Sequence, residues 1–189
     1  FVLNLLLVNS LLHGIDDLRP LAITHRQLIP VHMDATTSVR AHDLFYYGFK
    51  TPEGSSYPPI LKEHRIEAGE TYVIDGAGGP IPFQPVEGAH GDINALGFRF
   101  GSVAYLPDVK SIPDTARPAF HGLDTWVIDA LRRTPHPSHF SLDDALENIR
   151  EFAPKRAILT NMHVDMDYAT LISELPDGVV PAFDGMRFR

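Results

Sequence analysis

The sequence predicts an α/β fold, because apolar runs typical of strands alternate along the chain with stretches of helical periodicity. The clearest example lies between Leu123 and Thr160. An apolar run over Leu123–Leu131 is followed by a helix that opens at Ser141, and then by a second strand over Lys155–Thr160. A strand, helix, strand order favours parallel pairing of the two strands.

The elements that precede this unit are bounded by capping and turn residues. Asp34 is placed to cap a helix that continues through Tyr47, and the Pro/Gly/Ser-rich stretch Thr51–Pro59 predicts a loop after it. Short strands are expected around Tyr72–Asp75 and Ile81–Val86, separated by the turn GAGGP. This turn is not a phosphate-binding loop, since no Gly-Lys-Ser/Thr follows it.

The helix that opens at Ser141 carries its own start signal. Asp144 stands three residues after Ser141, which is an acidic variant of the capping box. The apolar residues that follow have helical spacing: Leu142, Ala145, Leu146, Ile149 and Phe152. The helix is therefore expected to bury one face.

Composition bounds the function. With 189 residues, 44% hydrophobic and 21% charged, the chain is expected to form a single domain over residues 1–189. A formal net charge of −8 gives no basic footprint for long nucleic acids, whereas a small anionic substrate stays compatible because a metal or an arginine can reverse the sign within a pocket. The absence of cysteine excludes disulfides and thiolate zinc sites, and we expect a cytoplasmic protein.

The segment Phe1–Leu12 is apolar enough to imitate a targeting sequence. It has no basic residues ahead of the apolar run and no small-residue cleavage site behind it, and it is too short to span a bilayer. We interpret it as a buried strand and expect no membrane partner. The sequence does not determine the oligomeric state, and a homodimer is one alternative.

Three potential metal ligands stand where short apolar runs end. His90, Asp108 and His163 close the runs PFQPVEGAH, FGSVAYLPD and RAILTNMH. Two imidazoles and a carboxylate presented from strand ends suit zinc, manganese or iron. From the residues alone, a set of capped strand ends is an equally good interpretation.

Longer stretches around these residues carry a family resemblance. HGDINALGFRFGSVAYLPD, DALRRTPHPSHFSLDDAL and PKRAILTNMHVDMDY together resemble the metallo-β-lactamase fold hydrolases, specifically the branch of the phosphoribosyl cyclic phosphodiesterases. The resemblance spans His13 to Arg189. It implies a four-layer αββα sandwich, a divalent metal cofactor, zinc or manganese, and a small phosphate-containing substrate.

The resemblance also assigns roles to the three ligands. It implies that Asp108 bridges two metals, that His90 completes one site and that His163 completes the other. A metal-bound water would then attack phosphorus. The family supplies its remaining ligands from a His-x-His-x-Asp-His loop just before a segment like HGIDDLRP.

That loop is altered in this sequence. Counting back from HGIDDLRP places its four ligand positions on Leu6, Val8, Ser10 and Leu11. None of these side chains binds metal well, so a degraded site with reduced metal occupancy is expected. The family's glycine-rich opening segment and first strands have no counterpart either, and we expect the fold to lack its N-terminal strands.

The motif HPSHFS is the second chemical feature. The resemblance places His139 opposite the metals, where an imidazole can protonate the departing alkoxide, so His139 and Asp108 are the candidate catalytic residues. His136 and Ser138 are expected to hold phosphate oxygens. From spacing alone, the favoured interpretation is that the two histidines only stabilise a Pro-rich turn.

Two further assignments concern the substrate. Arg19 is a candidate anion clamp, because guanidinium binds phosphate in a bidentate manner, although a salt bridge to Asp16 or Asp17 is equally simple. Three tyrosines would stack a base or a ribose, or else belong to the core: Tyr46, Tyr47 and Tyr57.

The sequence therefore supports two hypotheses. The first is a metal-dependent hydrolase of a small phosphodiester or cyclic phosphate, with a degraded metal site. The second is a catalytically inactive nucleotide-binding or scaffold member of the same fold. The run from Leu5 to Leu12 favours the second hypothesis, and the motifs after it favour the first.

Overall fold

The computed structural model describes residues 15–76 and 78–188. The chain falls into two compact units, Phe1–Ala68 and Gly69–Arg189, which are considered in turn. This division does not test the expected single domain over residues 1–189, which stays a prediction. The strand expected over Phe1–Leu12 and the altered ligand positions lie outside the described residues: Leu6, Val8, Ser10 and Leu11.

The described part of the first unit contains a 3-10 helix (Asp16–Leu18), two α-helices and two strands. The α-helices and strands are α1 (Arg19–His25), β1 (Ile29–Met33), α2 (Ala35–Phe49) and β2 (Leu61–Arg65). The two strands pair in parallel. The predicted cap of α2 is confirmed, since a carboxylate oxygen of Asp34 accepts a hydrogen bond from the Thr37 backbone N at 2.7 Å.

The second unit is built on a seven-stranded mixed sheet with the order β3-β4-β5-β6-β7-β8-β9. The first three pairings are antiparallel and the last three are parallel. Its elements are β3 (Tyr72–Ile74), β4 (Ile81–His90), β5 (Ile93–Phe100), β6 (Val103–Leu106), β7 (Thr125–Asp129), α3 (Leu142–Phe152), β8 (Arg156–Thr160), α4 (Tyr168–Glu174) and β9 (Val179–Pro181). The α/β class is as predicted.

The strand, helix, strand unit predicted from the sequence is also confirmed. Strand β7 pairs in parallel with β8, with Thr125 opposite Arg156 and Asp129 opposite Thr160, and α3 connects them. Strand β6 runs parallel to β7 on its other side. The carboxyl ends of β6, β7 and β8 therefore meet at one edge of the sheet.

The run Phe100–Asp108, which was expected to be one strand, contains a tight turn at its start. Strand β5 ends at Phe100, and β6 begins at Val103 and pairs back on it. Gly101, at the turn, has φ +59°, a left-handed conformation that glycine adopts without a steric penalty. The strand that leads to Asp108 is thus shorter than the apolar run.

Helix α3 packs on the sheet as its periodicity predicts. The capping box is present, because the Ser141 hydroxyl accepts a hydrogen bond from the Asp144 backbone N and the Asp144 carboxylate accepts one from the Ser141 backbone N. The Phe152 side chain is buried against Trp126, with ring centroids 5.5 Å apart. The helix and the loop before it are therefore fixed to the core.

None of the helices within residues 15–76 and 78–188 is long and apolar enough to cross a membrane.

Candidate active site

Chemically active side chains collect at the edge of the second unit where the parallel strands end. Asp129 is the last residue of β7, Asp108 lies two residues beyond β6, and Asn161 directly follows β8. His139 belongs to the loop that precedes Ser141, the residue that caps α3. His90 closes the antiparallel strand β4.

Asp129 is the centre of this group. Its side chain is fully buried, and its carboxylate accepts three hydrogen bonds. Oδ2 accepts from His139 Nδ1 at 2.8 Å and from the Val109 backbone N at 3.0 Å, and Oδ1 accepts from Asn161 Nδ2 at 3.2 Å. A buried carboxylate is tolerated only when it is satisfied in this way, so these donors fix its position.

These contacts determine which nitrogen of His139 carries a proton toward Asp129. An ionised carboxylate only accepts hydrogen bonds, so His139 Nδ1 must be the donor. Asn161 Nδ2 also lies 3.2 Å from Nδ1, but two donors cannot bond each other, and Asn161 donates to Asp129 instead. The other ring nitrogen, Nε2, is thereby left for a different partner.

The charge state of His139 reflects its neighbours. Burial disfavours the charged ring, but the hydrogen bond that His139 donates to Asp129 and the negative charges of Asp129 and Asp108 outweigh it, and the pKa of His139 is raised above its usual 6.5. The Asp108 Oδ1 atom lies 4.0 Å from His139 Nδ1. The protonated form of His139, which can donate a proton, is therefore favoured.

His90 and Asp108 lie beside this pair. The rings of His90 and His139 meet edge to face, with centroids 4.4 Å apart. Burial and then the charge of His139 lower the pKa of His90, and its Nδ1 is a buried polar atom with no hydrogen-bond partner in the described part of the chain. Asp108, whose side chain is 15% exposed, has its pKa raised to about 6, by burial and then by repulsion from Asp129.

The HPSHFS loop places His136 and Ser138 at the same site. The Ser138 backbone N donates to His136 Nδ1 at 3.3 Å, and the Ser138 hydroxyl lies 3.2 Å from the same nitrogen. The His136 ring is 5.2 Å from the His139 ring. A Cβ atom at Gly91 would lie 3.1 Å from the Ser138 Cβ, which shows how closely this loop approaches the turn after β4.

The other two candidates lie elsewhere. His163 is exposed and its Nδ1 lies 2.9 Å from the Asp165 carboxylate. Arg19 belongs to the first unit, where its guanidinium donates a 3.5 Å hydrogen bond to the Pro58 carbonyl and lies 5.7 Å from the Tyr57 ring centroid. Within the described residues it forms no ion pair with an acidic side chain.

Sequence reasoning missed Asp129 and Asn161. Asp129 stands in the apolar run TWVIDAL, and a lone carboxylate inside a buried strand is itself a signal, because it must find donors. Asn161, directly after β8, has φ +61°. This is a left-handed conformation, which asparagine tolerates better than most other residues do. Nothing in its sequence context separates it from an ordinary strand end.

The described residues do not complete a metal centre. No group of three or more His, Asp or Glu side chains within residues 15–76 and 78–188 is arranged to hold an ion. The orphan Nδ1 of His90 and the carboxylate of Asp108 are suitable donors, and the contact of His163 Nδ1 with Asp165 leaves its Nε2 as the nitrogen that could bind a metal. The roles of these three residues as metal ligands stay predictions.

Comparison with known proteins identifies the family to which this chain belongs. The profile of the Beta-lactamase superfamily domain matches residues 11–162, which is most of the chain. The chain belongs to this superfamily. Its fold is the α/β metallo-β-lactamase fold, as predicted, and members of the superfamily generally bind divalent metals such as zinc.

Individual relatives refine the comparison. The structure of a diphosphatase of the PhnP family superposes with a TM-score of 0.80 at 31% identity, over 94% of this chain and 66% of that one. Zinc-bound PqqB of Methylobacterium extorquens superposes with a TM-score of 0.62 at 13% identity, over 89% of this chain and 67% of that one, and shows the shared fold alone.

A curated relative is longer than this chain. An octanoyltransferase of Porphyromonas gingivalis is 25% identical over 179 residues, which are 92% of this chain and 34% of that protein. The chain thus spans about a third of the length of this relative and 66% of the length of the diphosphatase.

Proposed function

We propose that this chain is a hydrolytic domain for a small phosphodiester or cyclic phosphate, in which His139 protonates the departing oxygen. The observation that carries the proposal is the buried pair of Asp129 and His139, with Nδ1 and Oδ2 2.8 Å apart, beside Asp108 and His90. The resemblance to a diphosphatase supports a phosphate-containing substrate.

The proposed chemistry uses the orientation of the His139 ring. Asp129 holds Nδ1, so Nε2 is the nitrogen that meets the substrate. When the bond between phosphorus and the leaving oxygen breaks, the electron pair stays on that oxygen and the Nε2 proton moves to it. Water supplies the hydroxyl group that phosphorus gains, and Asp129 acts as a positioning residue.

His136 and Ser138 are proposed to bind the phosphate. The Ser138 backbone N donates to His136 Nδ1, so the proton of a neutral His136 ring sits on Nε2 and can be donated to a phosphate oxygen. The Ser138 hydroxyl is a second donor. Arg19 stays a candidate anion clamp, because its guanidinium makes a single long hydrogen bond to protein within the described residues.

Metal content is expected to be low. His90 and Asp108 offer two donors, and His163, whose Nε2 is left for a ligand while Nδ1 meets Asp165, does not join them in a group that could hold an ion among the described residues. We therefore expect zinc or manganese to bind with reduced occupancy and assign no catalytic step to it.

A second candidate function has one observation in its favour. No group of three metal-binding side chains occurs within residues 15–76 and 78–188, which favours an inactive nucleotide-binding or scaffold member of the fold. A cytoplasmic location, a homodimer, and the absence of membrane and long nucleic-acid partners are further proposals that rest on composition.

Hydrolysis measurements separate the two candidates. The chain is incubated with manganese and either a nitrophenyl phosphodiester or a ribose cyclic phosphate, and His139→Gln is compared with His121→Gln, whose ring packs on Phe152 instead. The hydrolase predicts slow turnover that His139→Gln lowers about 100-fold or more and His121→Gln leaves unchanged. Binding of the cyclic phosphate without any turnover would support the inactive member.

A further inference from the structure

A cavity of about 420 Å³ borders the candidate active site within the second unit. Asn161 belongs to both, because it lines the cavity and donates to Asp129 beside His139. The volume falls in the range of about 300 to 1,000 Å³ that small-molecule sites occupy. The cavity therefore lies next to a residue that contacts the pair of Asp129 and His139.

A tight turn after β9 shapes the outer wall of this cavity. The Met186 backbone N donates to the Phe183 carbonyl at 3.0 Å, and Gly185 has φ +84°, which a type II turn requires at its third residue. The Phe183 ring lies edge to face against Tyr168, with centroids 6.1 Å apart. The wall is thus held in place although the Phe183 ring is itself 55% exposed.

The lining indicates the chemistry of the occupant. Phe183, Met162 and Met186 offer a ring and two thioethers, which pack well against aromatic groups. Asp184 is the charged side chain of the lining, and its negative charge disfavours a phosphate. The Oδ1 atom of Asn161 has no hydrogen-bond partner within the described residues, so it can accept a hydrogen bond from a hydroxyl group.

We propose that this cavity, the leaving-group pocket, binds the nucleoside part of the substrate. The base lies against Phe183 and the two methionines, and a ribose hydroxyl donates to Asn161 or Asp184. The proposal rests on the proposed function, because that function places the phosphate at His139. The leaving oxygen protonated by His139 is then a hydroxyl oxygen of the bound nucleoside.

Methionine methyl groups provide a direct test with adenosine as the probe. The sequence contains four methionines: Met33, Met162, Met166 and Met186. With ¹³C-labelled methyl groups, each assigned by a Met→Leu variant, adenosine is expected to shift the signals of Met162 and Met186 through its ring current. Met33 and Met166, which are buried and do not line the pocket, serve as internal controls.

Variants of exposed aromatic residues test the stacking surface. Phe183→Ala is expected to weaken adenosine binding about tenfold, the loss of one base-stacking contact, whereas Phe183→Tyr retains it. Phe188→Ala is the matched control, because Phe188 is an exposed phenylalanine of the same segment, 39% exposed, that does not line the pocket. Thermal melts show whether each variant is folded. If Phe183→Ala does not fold, Phe183→Tyr and the methyl signals still test the proposal.

Failure of this proposal is distinguishable from failure of the proposed function. Adenosine carries no phosphate, so its binding requires neither hydrolysis nor His139. No shift of Met162 and Met186 at saturating adenosine, or a loss of binding in Phe188→Ala rather than in Phe183→Ala, would overturn the leaving-group pocket. Shifts of the two methyl groups support it, even if His139→Gln leaves hydrolysis unchanged and so refutes the hydrolytic role.

Discussion

Asp129 and His139 form a carboxylate–imidazole pair, with Asp129 Oδ2 2.8 Å from His139 Nδ1 and the carboxylate fully buried. The same carboxylate accepts hydrogen bonds from Val109, which follows β6, and from Asn161, which follows β8. One side chain thus joins the ends of three neighbouring parallel strands to the loop before α3. We therefore expect both the stability of the protein and the geometry of the site to depend on Asp129.

Asp129→Asn tests this dependence. The amide group replaces one accepting oxygen by a donor, so at least one of the three hydrogen bonds is lost and a buried donor is left unpaired, at a cost of about 1–3 kcal/mol. Urea unfolding measures the change in the free energy of unfolding. Asp177→Asn is the control, because Asp177 lies in an exposed loop, and a change equal to that of the control would refute the structural role of Asp129.

The cap of α3 gives a pH-dependent prediction. Burial alone would raise the pKa of Asp144, but hydrogen bonds from Lys110 and Ser141 outweigh it and lower the pKa below its usual 3.8. A carboxyl with a lowered folded-state pKa stabilises the protein above its unfolded-state pKa and loses that contribution as the pH falls. Asp144→Asn should therefore be less stable than the parent near neutral pH.

The gap between the two proteins should narrow as the pH falls below about 3.8, the value expected in the unfolded chain. Urea unfolding of both proteins at several pH values measures it. Asp143→Asn, an exposed neighbour in the same helical turn, separates the cap from the general effect of an acidic residue near a helix start. A constant gap down to pH 3 would contradict the account.

Close packing between β5 and β6 gives a third prediction. A Cβ atom at Gly97 would lie 2.6 Å from Leu106 Cδ1 and 2.8 Å from the Tyr105 carbonyl oxygen, so Gly97→Ala forces the strand before Asp108 to move. We expect a loss of about 1–3 kcal/mol in the free energy of unfolding. Gly76→Ala, where a Cβ would meet no atom within 4 Å, should be nearly neutral, and equal effects would show that the contact does not matter.

The regular elements were predictable because local signals set them. The Asp34 cap, the Ser141–Asp144 capping box and the parallel pairing of β7 with β8 follow from patterns within a few tens of residues. The hairpin turn at Gly101 was missed, because an apolar run does not reveal where it folds back.

The site was predictable only in part. His139, His136 and Asp108 were found through motifs, and the structure brings them together. The partner that orients His139 was not found, because Asp129 and Asn161 reach it through strand register rather than through spacing along the chain. His163 stands three residues beyond the end of β8, where the backbone has left the sheet and the side chain pairs with Asp165.

The metal content of the purified chain tests the proposal that the metal site is degraded. We expect the purified chain to hold less than one equivalent of zinc or manganese, because His90 and Asp108 are two donors without a third beside them among the described residues. Elemental analysis after dialysis measures the content, and His90→Ala should lower it further while His121→Ala should not. Two tightly held ions per chain would refute the expectation.

The claim that His139 donates a proton to the leaving oxygen is tested most directly by comparing the effect of His139→Gln on two esters with different leaving groups. Nitrophenolate departs readily without a proton, whereas the more basic phenolate needs one, so a proton donor matters more for phenyl than for nitrophenyl phosphodiesters. The ratio of kcat/KM between the parent chain and His139→Gln is measured for both esters. The account predicts a ratio at least about tenfold larger for the phenyl ester, and equal ratios for the two esters would contradict proton donation by His139.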